Sequence, residues 1–242
     1  MPKVPAKAVL QTYDVTEAMR VARGKGPMVA ALMAWLYEFG SRASEPGLQL
    51  VSDVDLRSNR ARPRHLKDGA AADWMILLPF CQETLPVWLQ ARNAYVLQPQ
   101  QAGVLFPSRG AGKCYACHGT GKRVRLMREK KTGRRFDGEG VPCHHCGATG
   151  ERWGVSRSEV HRIVHDVLLA AGVPTAICYP HVLRHSIISH LLNGGMPATT
   201  VQERVGHRAL ASTLGYAKST ELTAEQMVKA LAKVYQKSKR AN

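Results

Sequence analysis

Apolar and polar positions alternate along the chain with a mostly helical period. Tyr13 to Ala22 has helical spacing behind an Asp14/Thr16 start, and Met28 to Phe39 reads as an apolar, buried helix stopped by Gly40. Leu48 to Leu56 reads as a turn into a strand. From Leu56 to Pro79 the pattern is strand, turn, strand, with Lys67-Asp68-Gly69 at the turn. Thr84 to Tyr95 is amphipathic, and Leu105-Phe106-Pro107-Ser108 is a short strand, after which a Gly- and Lys-rich stretch interrupts the periodicity. Helix resumes at Ser156, which forms a capping box with Glu159, and runs to Ala171 before Gly172-Val173-Pro174 ends it. Val182 to Leu192 and Thr199 to Val205 are further helices, and Ala224, Met227, Val228, Leu231, Val234 and Tyr235 share one face of a last one. The expected fold class is mainly α with a small antiparallel sheet (α+β).

Composition adds what the chain is not. At 242 residues and 45% apolar it can bury a core without disulfides. No apolar run reaches the roughly 20 residues that cross a bilayer, and the N-terminus has no signal-peptide core, so a soluble, cytoplasmic protein is expected, with no membrane partner. Charge is more selective. The net charge is +16, and Lys113 to Arg135 holds nine basic residues against the single acid Glu129. Like-charge blocks repel themselves unless an anion neutralises them, so the expected partner is a polyanion, with nucleic acid the first candidate. Candidate DNA-binding residues are Arg57, Arg60, Arg62 and Arg64 in one block and Lys122, Arg123, Arg125, Arg128, Lys130, Lys131, Arg134 and Arg135 in the other.

Four of the six cysteines form two C-x-x-C pairs, in the frames CYACHGTG (Cys114 to Gly121) and CHHCGATG (Cys143 to Gly150). A two-residue spacer lets both thiolates of a pair face one tetrahedral ion, and the glycines permit the tight turns around it. Cys114, Cys117, Cys143 and Cys146 are therefore the expected ligands of a Zn²⁺ whose positions are all filled by protein, so the metal is structural. The frames resemble the zinc repeats of DnaJ-type chaperones. His118, His144 and His145 compete as ligands only if a cysteine is missing. Residues 113–150 read as an inserted zinc module between residues 1–112 and 151–242, the two parts of one catalytic domain, the second ending in the last helix.

The stretch His181 to Tyr216 carries the chemistry. H-x-x-R-H at His181, Arg184 and His185, Gly206-His207, and a tyrosine nine residues further on, Tyr216, resemble the signature of the tyrosine recombinase (phage integrase) family. GSRASE at Gly40 to Glu45 is similar to the box carrying that family's first arginine, here Arg42, and the hairpin turn matches the place of its catalytic lysine, here Lys67. The resemblance implies a site-specific recombinase that breaks and rejoins DNA through a 3′-phosphotyrosine and assembles as a tetramer on DNA. It assigns catalysis to Arg42, Lys67, His181, Arg184, His207 and Tyr216. Elementary chemistry asks for such a set, since a phosphodiester resists attack until its charge is neutralised, and planar guanidinium groups fork onto phosphate oxygens. No nucleotide cofactor is expected, because no phosphate-binding loop motif is present and a phosphotyrosine conserves the bond energy. Two other readings share these residues: a type IB topoisomerase and a DNA-binding regulator that no longer cuts. Only about 14 residues precede the first helix, so no separate core-binding domain is expected ahead of the catalytic one.

Overall fold

The computed structural model describes residues 8–64, 72–96, 98–114, 117–128, 135–143, 146, 148–206 and 212–213. Helix α1 (Thr12–Lys25) begins where the Asp14 carboxylate accepts from the Gln11 N–H at 2.9 Å, so Asp14 sits inside the first turn. Pro27 opens α2 (Pro27–Glu38), whose side chains from Ala30 to Glu38 are all buried. A helix apolar all round belongs inside, and α2 packs against α1, against α3 (Pro79–Ala91) and against α5 (Pro180–Asn193). Helix α4 (Arg157–Ala170) touches α1 and α5, and α6 (Ala198–Val205) rests on α5. The Ser156–Glu159 capping box of α4 is formed as expected.

Helix α3 starts five residues before the amphipathic pattern does. Its first amides are capped from elsewhere: Phe80 and Cys81 donate to the Glu38 carboxylate at 2.7 and 3.0 Å. Burial raises the Glu38 pKa, and these same donors hold it down. No local signal announces a cap supplied by the end of α2.

Among the described residues, the expected small antiparallel sheet is present and two two-stranded antiparallel ribbons accompany it. The sheet has the order β1 (Val54–Asp55), β2 (Arg60–Ala61), β3 (Met75–Ile76). Leu56, read as the start of a strand, lies instead in a turn. The Asp55 carboxylate accepts from Arg57 and Ser58 there, and Asn59 takes a left-handed φ of 54°. The Lys67-Asp68-Gly69 turn lies outside the described residues, as does the last helix. The second sheet joins β4 (Pro107–Lys113) to β7 (Glu151–Gly154), and the third joins β5 (Lys122–Arg128) to β6 (Arg135–Pro142). The basic residues of 122–128 and Arg135 thus lie on a two-stranded ribbon. No helix among the described residues is long and apolar enough to cross a membrane.

Candidate functional site

Two arginines far apart in the sequence are anchored at the turn that follows α2. Gly40, at φ 56°, turns the chain out of α2, and its carbonyl accepts a hydrogen bond from Nη1 of Arg184 on α5. Arg184 is only 2% exposed. Two residues further on, Arg42 is held by the fully buried Glu45, which accepts from the Arg42 N–H at 2.7 Å and from Nη1 at 2.9 Å. The Arg42 side chain remains 37% exposed, so its guanidinium is oriented yet accessible. Glu45, three residues after Arg42, is therefore the carboxylate that orients it.

His181 opens α5 one turn before His185, with ring centroids 4.9 Å apart. Partial burial, then the positive charges of His185, Arg184 and Arg42, push its pKa down to about 4, with Glu45 pulling weakly the other way. The imidazole is neutral near pH 7 and able to accept a proton. Arg42, His181 and Arg184 are thus brought together, while Lys67, His207 and Tyr216 lie outside the described residues.

Further residues that the sequence pattern did not flag support this cradle. Buried Gln49 donates from Nε2 to the carbonyls of Glu45 and Arg64 at 2.8 and 3.0 Å and accepts from the Arg64 N–H at 2.8 Å. It ties the Arg42 loop to Arg64, at the end of the described segment that precedes Lys67 in sequence. Asp53, also buried, accepts from Arg62 at 3.2 Å and from Arg64 at 2.5 and 2.9 Å. Those two cations of the first basic block are spent partly on an internal carboxylate, and Arg62 also lies over the Trp74 ring. Arg57 and Arg60 are exposed, as are Lys122 and Arg123 at the start of β5. Arg125, Arg128 and Arg135 are placed on the β5–β6 ribbon, and Lys130, Lys131 and Arg134 lie outside the described residues.

The four paired cysteines converge at the joint between the two ribbons. Cys114–Cys143 and Cys117–Cys146 have Sγ separations of 3.8 and 3.7 Å, and all four sulfurs lie within 4.8 Å of one another. Four thiolates about 2.3 Å from a tetrahedral Zn²⁺ stand about 3.8 Å apart, whereas a disulfide requires about 2.05 Å. The set fits a closed four-sulfur metal site. Burial resists ionisation of Cys117, but amides of Gly119 and Gly121 and the neighbouring thiols bring it down to about 7.

A pseudo-twofold relates the two frames, offset by 29 residues. Cys114 N–H donates to Gly150 O and Cys143 N–H to Gly121 O, each at 2.8 Å, and Thr120 and Thr149 both donate through their hydroxyls to the carbonyl of the preceding cysteine's turn at 2.7 Å. A Cβ at Gly121 would lie 2.2 Å from Ala148 O, and one at Gly150 2.3 Å from Gly119 O. The repeated C-x-x-C-x-G-x-G frame therefore encodes two interlocked turns as well as four converging thiols.

The fold that carries this cradle is the catalytic-domain fold of tyrosine recombinases: it superposes on the XerA recombinase with a TM-score of 0.58 over 93% of this chain and 65% of that one, at 21% identity. A XerH site-specific recombinase bound to its difH substrate gives 0.58 at 16% identity, over 95% of this chain and 54% of that one. The family profile described as "Phage integrase family" matches residues 9–222, and the chain belongs to that family. Tyrosine recombinase XerD of Caulobacter vibrioides is 37% identical over 226 residues, 88% of this chain and 57% of that protein. Tyrosine recombinase XerC of Pelotomaculum thermopropionicum is 43% identical over 235 residues, 94% of this chain and 59% of that one. The chain thus spans somewhat more than half the length of these relatives.

Proposed function

We propose that this chain is the catalytic part of a site-specific DNA recombinase, acting in integration, excision, inversion or resolution. The observation that carries the reading is the anchoring of Arg42 and Arg184 at the Gly40 turn, both close enough to His181 for their charges to act on it. Arg42 and Arg184 bind the non-bridging oxygens of one phosphodiester and stabilise the charge that develops there. His181 takes the phenolic proton as Tyr216 Oη bonds to phosphorus, and the P–O5′ bond breaks as Lys67 gives its proton to the departing oxygen. His207 donates a hydrogen bond to the transition state. A partner strand's 5′ hydroxyl then attacks the 3′-phosphotyrosine and frees Tyr216. Membership of the phage integrase family and similarity to proteins named tyrosine recombinases support this sequence of steps.

The partner is double-stranded DNA, on which copies of the protein assemble as a tetramer, so the protein resides on the nucleoid in the cytoplasm. Residues 113–150 form a module in which Cys114, Cys117, Cys143 and Cys146 hold a structural Zn²⁺. The metal supplies folding energy to a segment too polar to fold by itself and has no open position for substrate. The ribbon that the module carries contacts the DNA backbone through its Lys and Arg residues.

The test is covalent capture on a randomised pool of nicked duplexes. The unaltered chain forms a denaturant-stable protein–DNA adduct and Tyr216→Phe forms none. Absence of any adduct from the unaltered chain leaves the non-cutting regulator, and relaxation of supercoiled DNA without strand exchange favours the topoisomerase.

A further inference from the structure

Arg204 lies outside the residues assigned to catalysis, yet its side chain reaches two of the segments that carry them. It sits on α6, three residues before His207 in the sequence. Its Nε donates to the carbonyl of Glu38 at 2.8 Å, at the end of α2 and two residues before Gly40, and its guanidinium lies 5.2 Å over the Phe39 ring. Both terminal nitrogens donate to the carbonyl of Ile76 at 3.2 and 3.1 Å, on β3, the strand that follows the Lys67 turn. One planar group thus spans the helix leading to His207, the helix end leading to Arg42, and the strand returning from Lys67.

A lysine has one donor head where this site uses three nitrogens in fixed directions. The site is also costly: burial pulls the Arg204 pKa down, and the Glu38 and Cys81 side chains pull it back up. A half-buried cation aimed at two backbone carbonyls is a poor source of stability, because hydrophobic packing of equal volume serves as well. Helix α6 already has such packing through fully buried Val201 and Val205. What the guanidinium adds is geometry: it fixes three chain segments at mutual distances that hydrophobic contacts alone leave free to slide.

We propose that Arg204 is a positioning residue for strand cleavage, which locks the segments bearing Arg42, Lys67 and His207 into one frame. The inference rests on the recombinase reading, and the experiment separates the two. Adduct formation by the unaltered chain on the nicked-duplex pool is established first; its failure sinks the recombinase reading. Arg204→Met and Arg204→Lys are then compared for single-turnover adduct rate, affinity for the same duplexes and thermal unfolding. The expected result is an adduct rate lowered at least tenfold in Arg204→Met, with affinity within threefold, and an intermediate rate in Arg204→Lys. A folded Arg204→Met that cleaves within twofold of the unaltered chain overturns the proposal. So does a rate loss matched by an equal loss of affinity, which marks a merely structural contact. If Arg204→Met does not fold, Arg204→Lys decides by the same criteria.

Discussion

Arg184 donates to the carbonyl of Gly40 across 144 residues of chain, at a turn whose left-handed φ and close approach of Val205 suit a residue without a side chain. A Cβ there would stand 2.8 Å from Val205 Cγ1 and 3.5 Å from Arg184 Cγ, at a φ of 56° that disfavours any L side chain. Gly40→Ala is therefore expected to lower stability by about 1–3 kcal/mol. The clash pushes on Val205 of α6 and strains the turn whose carbonyl anchors Arg184, so adduct formation is expected to fall by more than the stability loss explains. Denaturant unfolding and single-turnover capture, measured on one preparation, check this; unchanged values for both would remove Gly40 from the cradle.

The pH dependence follows from His181. Its pKa in the folded chain is about 4, against about 6.5 when unfolded, so between those values the unfolded chain binds a proton that the folded chain does not. The stability present above about 6.5 is lost as pH falls toward about 4. His190 and His161 are shifted downward too, chiefly by burial, and add to the same slope. Urea unfolding at about pH 7 and about pH 5 should show a loss that is smaller in His181→Gln. In the proposed mechanism the same shift keeps the base neutral, so cleavage should persist in mild acid. An activity limb rising with pH through 6.5 or above would contradict a neutral His181.

Asp53 offers a test of the scaffold apart from chemistry. It is fully buried and answers Arg62, Arg64 and the Leu50 N–H. Asp53→Asn leaves two cations partly buried without their carboxylate, and a loss of about 2–4 kcal/mol is expected. Gln49 still holds the Arg64 backbone in this variant, so the loosening should be greater at Arg62 than at Arg64, which hydrogen exchange at the two amides would report. A loss below about 0.5 kcal/mol would mean that solvent screens the cluster.

Much of this arrangement was legible in the sequence. His181, Arg184 and Arg42 sit in frames whose spacing is local, and the structure joins them; the paired cysteines, repeated in one eight-residue frame, converge as their spacing implied. What stayed hidden depends on partners far along the chain. The start of α3 is capped by Glu38, and Gln49 bridges Glu45 to Arg64, yet neither residue belongs to a motif. The β5–β6 ribbon was missed for another reason. Its Lys and Arg content suppressed any strand reading, while cross-strand backbone pairing from Lys122↔Pro142 to Arg128↔Arg135 outweighs that composition.

Metal removal should separate the module from the core. On the proposed reading the chain binds one zinc, which thiol modification releases. Cys143→Ser should lose the metal while α1 to α5 keep their cooperative unfolding, since the four cysteines form a cluster apart from the main core. DNA affinity should weaken, and its dependence on salt should become shallower as phosphate contacts from the ribbon are lost. Unchanged affinity and salt slope in the metal-free chain would reduce the module to a staple.

The leaving group provides the sharpest test of Lys67. An alkoxide departs from phosphorus only with a proton, whereas a thiolate, whose conjugate acid has a pKa near about 8.5, departs without one. If Lys67 is the proton donor, Lys67→Ala should slow adduct formation by about 10²- to 10³-fold on ordinary nicked duplexes. On duplexes whose scissile 5′ oxygen is replaced by sulfur the loss should shrink to less than about tenfold, because the step Lys67 assists is no longer needed. Arg42→Ala and Arg184→Ala should gain no such relief: they answer the non-bridging oxygens, which the substitution leaves in place. Equal losses on oxygen and sulfur in Lys67→Ala would assign the lysine to phosphate binding and leave the proton donor among the remaining members of the set.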